Sequence, residues 1–205
     1  MVRTKDFKIY CAGPLFNKKE KEEMAEIAAV LEESGFRVFL PHRDGFEFAH
    51  LLDVLKSIGV SEPQANSLLN KAIFTLDVYQ VLDSDGLVLN INGRVPDEGA
   101  TVEAGIAWNA GKRVVIFKND ARTLINGTDN PLILGLSDFT TIDSIPKIPV
   151  VFNELFAMDI SDNKALIDNS RVQELYKKGR IIAELAQNGY DKIKVCRELL
   201  KLLGG

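Results

Sequence analysis

Apolar and polar positions along this chain switch repeatedly between a period of two and a helical period, and those switches lay out the fold. Residues 7–12, Phe7-Lys8-Ile9-Tyr10-Cys11-Ala12, form a short β-type run stopped by Gly13-Pro14. Residues 18–34 then bring apolar side chains round at Met24, Ile27, Ala28, Val30 and Leu31, the spacing of one helix face. Gly35 stands where a helix commonly ends, and Phe36-Arg37-Val38-Phe39-Leu40 reads as a second strand closed by Pro41. Residues 47–58 and 65–83 read as helices, with 59–64 and its Pro63 as the turn between them. The second helix carries Leu68, Leu69, Ala72, Ile73, Leu76, Tyr79 and Gln80 on a mostly apolar face. A buried-looking strand, Gly86-Leu87-Val88-Leu89-Asn90-Ile91, precedes a helix over 99–110 and another strand over 113–118.

Strands that alternate with helices predict a parallel, right-handed sheet. The expected architecture is therefore a doubly wound α/β fold, flavodoxin- or Rossmann-like, with about five strands and helices on both faces. After the strand at 113–118, residues 119–131 are polar and too long for a simple turn, and such loops are often functional. Residues 138–153, with Pro146 and Pro149, give weak strand and loop signals, and 161–170 reads as a polar connection. From 172 to 203 the pattern is helical, broken at Asn188-Gly189, and Leu175, Ile181, Ile182, Leu185, Ile193, Val195, Leu199 and Leu202 are available for packing. They would dock on the chain's own core or on another subunit. The division expected is an α/β domain over 1–160 and a helical C-terminal extension over 161–205.

Composition narrows the partners. With 25 basic and 29 acidic side chains the net charge is −4, so no overall positive field draws the protein to nucleic acid or to anionic lipid. A small molecule is the expected partner. Cys11 and Cys196 have no metal-ligand spacing and no disulfide framework, and His42 and His50 lack ligand spacing as well. The first residues contain no apolar signal core, and no run approaches a membrane span, so a cytoplasmic location is expected.

The candidate chemistry lies in Asp97-Glu98-Gly99-Ala100-Thr101-Val102-Glu103-Ala104-Gly105, which follows a buried strand and opens an apolar helix. Ligands of open α/β sheets bind beyond the carboxyl ends of the strands, and a carboxylate near a helix N-terminus is favoured in its ionised form. Glu103 therefore suits a nucleophile, while the plain alternative is that Asp97 and Glu98 cap the helix and Glu103 faces solvent. The ends of the first, third and fourth strands converge in such a sheet, so Tyr10 and the turn Gly13-Pro14-Leu15-Phe16 can face Glu103. Asp77 joins the list because it sits between Leu76 and Val78 on a mostly apolar helix. A phosphate cradle at Gly13-Pro14 is disfavoured, since proline removes an N–H donor and G-x-G-x-x-G is absent.

In order along the chain, Ile9-Tyr10 with Ala12-Gly13-Pro14-Leu15-Phe16, Leu40-Pro41-His42-Arg43-Asp44-Gly45-Phe46, Asp77, the Asp97 to Gly105 segment and Asn130-Pro131-Leu132 resemble the nucleoside 2-deoxyribosyltransferase family. The resemblance covers about residues 7–142. It implies transfer of a 2-deoxyribosyl group between nucleobases, with Glu103 as nucleophile, Tyr10 orienting it, and Asp77 and Asp97 handling protons and hydrogen bonds at base and sugar. It also implies that Gly13, Phe16, Asp44 and Gly99 line the substrate, with Phe16 packing on the base and Asp44 near the base edge. Asn130 would reach the sugar 5′-hydroxyl of a neighbouring subunit, so the implied partners are deoxynucleosides, free nucleobases and further copies of the chain in a homo-oligomer. The chemistry calls for no metal or organic cofactor. Two alternatives share the site: an N-glycoside hydrolase of nucleosides, nucleotides or a dinucleotide, and a non-catalytic nucleotide sensor.

Overall fold

The computed structural model describes residues 7–45, 48–93, 95–122, 127–158, 170–187 and 191–204. Five parallel strands, β1 (Lys8–Ala12), β2 (Arg37–Phe39), β3 (Gly86–Asn90), β4 (Arg113–Phe117) and β5 (Thr141–Ile142), lie in the order β2-β1-β3-β4-β5. That order reverses direction at β1 and β3, the place where doubly wound sheets open a crevice. The α-helices among the described residues are α1 (Lys18–Glu33), α2 (Pro41–Asp44), α3 (Phe48–Ser57), α4 (Glu62–Asp83), α5 (Glu98–Asn109), α6 (Pro131–Leu134), α7 (Ile148–Ala157), α8 (Ser170–Gln187) and α9 (Lys192–Leu203).

The chain divides into two compact units, Met1–Pro41 with Val81–Leu166, and His42–Gln80 with Ile167–Gly205. In the first unit the alternation along β1 sorts the two faces of the sheet. Ile9 and Cys11 enter a layer with Met24, Ile27, Ala28 and Leu31 of α1 and Ile148 and Phe152 of α7. Tyr10 and Ala12 enter the opposite layer with Leu87, Leu89, Val114 and Ile116 and with Ala100, Ala104 and Ala107 of α5. Three alanines let α5 lie close on the sheet, because each removes side-chain bulk from the contact.

The second unit is helical. Leu51 and Leu55 of α3, Leu68, Leu69, Ala72 and Leu76 of α4, Ile182 and Ala183 of α8, and Val195, Cys196 and Leu199 of α9 share one core. The two C-terminal helices, α8 and α9, thus pack on α3 and α4 of the same chain. α8 crosses α4 at Gly179, where a Cβ would stand 2.2 Å from the Tyr79 Cβ and 2.7 Å from the Thr75 carbonyl oxygen.

Three element expectations need correction, and proline explains each. Residues 148–157 form α7 where weak strand and loop signals were read, with Pro149 in the first turn. α4 starts at Glu62, so Pro63 lies inside the helix and not in the preceding turn. Pro41 opens the short α2 as well as closing β2. A proline in the first helical turn loses no intrahelical hydrogen bond, since that N–H has no partner there anyway. The expected break at Asn188-Gly189 and most of the connection at 161–170 lie outside the described residues. Among the described residues no helix is long and apolar enough to cross a membrane.

Candidate active site

Glu103 occupies the inward side of α5, between Ala100 and Ala107 in the helical repeat, where an apolar residue would otherwise be expected. Its presence there is explained by Tyr10, whose hydroxyl donates to Glu103 Oε1 at 2.7 Å. Tyr10 is fully buried, and its ring stacks on Phe39 with centroids 5.5 Å apart. The pleat of β1 and the register of Tyr10 with Leu87 fix the direction of that hydroxyl, so a rigid ring holds one oxygen of a half-buried carboxylate. The solvent-facing alternative for Glu103 does not hold.

The capping alternative does hold for Asp97. Its backbone is extended, and Oδ1 accepts the Ala100 N–H at 2.7 Å while its carbonyl oxygen accepts the Thr101 hydroxyl at 2.8 Å. Asp97 therefore sets the start of the helix that carries Glu103. Gly99 lies in that first turn and is exposed. Gly13, just past β1, has a packing reason of its own: a Cβ would meet Met24 Sδ at 2.5 Å and Asn90 Cβ at 2.9 Å. Phe16 stands 81% exposed on the same loop. Asn130 is the N-cap of α6, its Oδ1 accepting the Leu132 N–H at 2.9 Å.

Around these strand ends runs a polar network that the sequence reading missed. Glu23 of α1 accepts the side-chain amides of Asn90 (2.7 Å) and Asn92 (3.0 Å). Asn92 in turn donates to Asn119 Oδ1 at 2.7 Å and accepts the Asn119 N–H at 2.9 Å, which ties the end of β3 to the end of β4. The available signal was a pair of asparagines ending an apolar strand, an unusual place for buried amides unless they are bonded. A cavity of about 330 Å³ opens on the α1 side of this network, lined in part by Asn17, Glu20, Glu23 and Asp120.

Two expected site residues belong to the second unit. Asp77 of α4 is half-buried, and burial pushes its carboxyl up to about 6. Asp44, at the end of α2, takes two bonds from the Arg43 guanidinium, Nε to Oδ1 at 2.8 Å and Nη2 to Oδ2 at 2.9 Å. Phe46 lies outside the described residues.

A doubly wound sheet with a tyrosine-held carboxylate on the helix after β3 defines the class, an open α/β sheet of the kind that takes ligands beyond its strand ends. The profile of the nucleoside 2-deoxyribosyltransferase family matches residues 9–190. The chain belongs to that family, a family of enzymes, and the match runs through α8. No curated protein matches the sequence. Among solved structures, a 2-deoxyribosyltransferase from the psychrotolerant bacterium Bacillus psychrosaccharolyticus is similar at 21% identity and a TM-score of 0.50, covering 69% of this chain and 90% of its own. A conserved protein from Enterococcus faecalis V583 follows at 18% and 0.49, covering 73% of this chain and 98% of its own. A 2-deoxyribosyltransferase from Leishmania mexicana stands at 18% and 0.44, with 75% and 99% covered. At these identities the likeness concerns the fold.

Proposed function

We propose that the protein transfers 2-deoxyribosyl groups between nucleobases through an ester on Glu103, in nucleoside salvage in the cytoplasm. The observation that carries this reading is the 2.7 Å bond from the Tyr10 hydroxyl to Glu103 Oε1. Breaking an N-glycosidic bond builds positive charge at C1′, and a carboxylate opposite the base stabilises that charge and then bonds to the carbon. The hydrogen bond that Tyr10 donates fixes the orientation of the carboxylate that attacks in this scheme. Tyr10 is the positioning residue in this scheme.

The departing base needs a proton, and Asp77, raised to about 6, holds one within reach of neutral pH. In the second half-reaction the same group takes a proton from the incoming base. Asp97 uses Oδ1 for its cap, so its part is to accept a hydrogen bond from the sugar with the other oxygen. Phe16 supplies an exposed ring on which a base stacks, Gly99 leaves the first turn of α5 without a side chain beside the substrate, and Gly13 lets the loop after β1 lie close on Met24 and Asn90 as it passes the substrate. An Asp44 contact to the base edge requires its carboxylate to be shared with Arg43. The Asn130 cap engages the amide's acceptor, so the NH₂ donors are the atoms that reach a sugar hydroxyl.

A homo-oligomer with shared sites is part of the proposal. It is supported by Val95, Val102, Trp108, Leu132 and Phe139, large apolar residues of the first unit left more than half exposed. Leu132, next but one to Asn130, is 83% exposed.

The test is to incubate the protein with a deoxynucleoside and a different free base and to separate the products. A new deoxynucleoside, with a deoxyribosyl adduct on the Glu103 peptide when the free base is left out, is the expected result. Free base and deoxyribose alone would make the enzyme a hydrolase, and no turnover of any deoxynucleoside would overturn both. For the shared site, mixing Glu103→Ala with Asn130→Ala protein after subunit exchange should recover part of the activity. A fully active monomer would remove that part of the proposal.

A further inference from the structure

We propose that Lys118 and Asp129 are positioning residues of this same site, a buried ion pair that pins the segment carrying Asn130. The kinetic consequence rests on the deoxyribosyl-transfer reading, while the structural consequence does not. Lys118 is the first residue past β4, and Asp129 directly precedes Asn130. Lys118 Nζ stands 2.7 Å from Asp129 Oδ2, with the two side chains 8% and 9% exposed. The same ammonium donates to the Arg122 carbonyl oxygen. One cation thus holds residues 122 and 129 together.

Residues 120 and 122 are tied in turn to the residues just past β3. Arg122 Nη2 donates to the Ile91 carbonyl oxygen at 2.9 Å, and Asp120 Oδ2 accepts the Gly93 N–H at 2.9 Å. Asp120 also lies 3.6 Å from both Lys118 Nζ and Arg122 Nη2. Two cations and two anions cancel, so the cluster offers no net charge to a ligand, and its role is to hold backbone. Asp129 depends on Lys118 in particular: its Oδ1 is buried and takes no partner among the described residues. Removing the ammonium leaves a buried carboxylate uncompensated, which the chain relieves by letting residue 129 swing outward. Asn130 moves with it, and the cap on α6 opens, because the Asn130 side chain is the acceptor for the Leu132 N–H.

The experiment compares Lys118→Met, Asp129→Asn, the double variant Lys118→Met/Asp129→Asn and Asn130→Ala with wild type. Hydrogen exchange at the Leu132 amide reads the cap, and KM and kcat for base exchange read the site. Lys118→Met should speed Leu132 exchange about tenfold and raise KM about tenfold with a smaller change in kcat, as expected when a binding contact made equally in ground and transition states is lost. The double variant, with no charge left unpaired, should recover most of both losses. In an Asn130→Ala background Lys118→Met should add nothing further to KM, since it acts through that residue.

A folded Lys118→Met protein with wild-type Leu132 exchange overturns the proposal. So does a KM rise that is equally large in the Asn130→Ala background, because the pair would then be merely structural. If Lys118→Met does not fold, Asp129→Asn keeps the ammonium and carries the same two readouts. Wild type inactive toward deoxynucleosides would remove the transferase reading alone, and Leu132 exchange would still decide the pin.

Discussion

The two units differ in what their buried polar groups hold together. In the α/β unit, Asn90, Asn92 and Asp129 are buried together where β3 and β4 end, each bonded to a side chain from another segment. In the helical unit the core of α3, α4, α8 and α9 is apolar, and its buried Thr75 returns its hydroxyl to the Lys71 carbonyl of its own helix at 2.6 Å. A polar group satisfied within its own helix fixes nothing beyond that helix, whereas one satisfied across segments fixes loops against each other. The α/β unit therefore uses buried polarity to hold strand ends in place, while the helical unit has Thr75 and Gln80 buried on α4 and Asp77 half-buried between them.

The largest effect expected is at Glu103. Glu103→Gln keeps an acceptor for the Tyr10 hydroxyl, so the fold should stand while base exchange falls by roughly a thousandfold or more. Retention of about a tenth of the rate would remove Glu103 as nucleophile. In the helical unit the counterpart is Gly179→Val, which forces atoms onto the Tyr79 Cβ and the Thr75 carbonyl and should cost about 3 kcal/mol in urea unfolding. A neutral outcome would show that α8 does not approach α4 as closely as described.

Tyr10→Phe tests the cross-segment bond itself. Losing a hydrogen bond to a charged group, roughly 1.5–3 kcal/mol, should slow exchange about tenfold to a hundredfold. Unchanged kcat with an unchanged fold would mean that Glu103 is oriented without it.

Asp77→Asn separates stability from function. Burial raises this carboxyl from 3.8 to about 6. Below about pH 4 the group is protonated in folded and unfolded chains alike and costs nothing. Stability is lost as pH rises from about 4 to about 6, where only the folded chain keeps the proton, and the full penalty, on the order of 1–2 kcal/mol after allowance for partial exposure, persists above. The amide variant should therefore be more stable than wild type at pH 7.5, with the gain gone by pH 4, while its exchange activity is lower. An Asp77→Asn protein less stable than wild type at pH 7.5 would mean that a favourable partner, not burial, governs Asp77.

Much of the frame was legible because strand and helix periods are local. Ile9, Cys11, Val88 and Val115 against Tyr10, Leu87 and Val114 alternate faces as the apolar pattern requires. The Asp97 cap was equally readable, since capping needs only the next three residues. The helices at Pro63 and Pro149 were misread because proline marks a turn and a first helical turn with the same residue, and which one forms depends on what the following face can bury. For α7 that is a layer shared with β1, β3 and β4.

By itself the sequence determined the alternating strands and helices, the parallel sheet, the family, and a short set of candidate carboxylates, because period, capping and motif order are written within a few residues of each other. Only the tertiary structure decided which of those groups touch. Tyr10 and Glu103 are 93 residues apart and meet because the pleat of β1 turns the ring toward α5. Lys118 and Asp129 pair, and Glu23 reaches Asn90 and Asn92, because strand ends converge where β1, β3 and β4 lie side by side. The bonds between such groups depend on strand order and register, which no local stretch of the chain encodes.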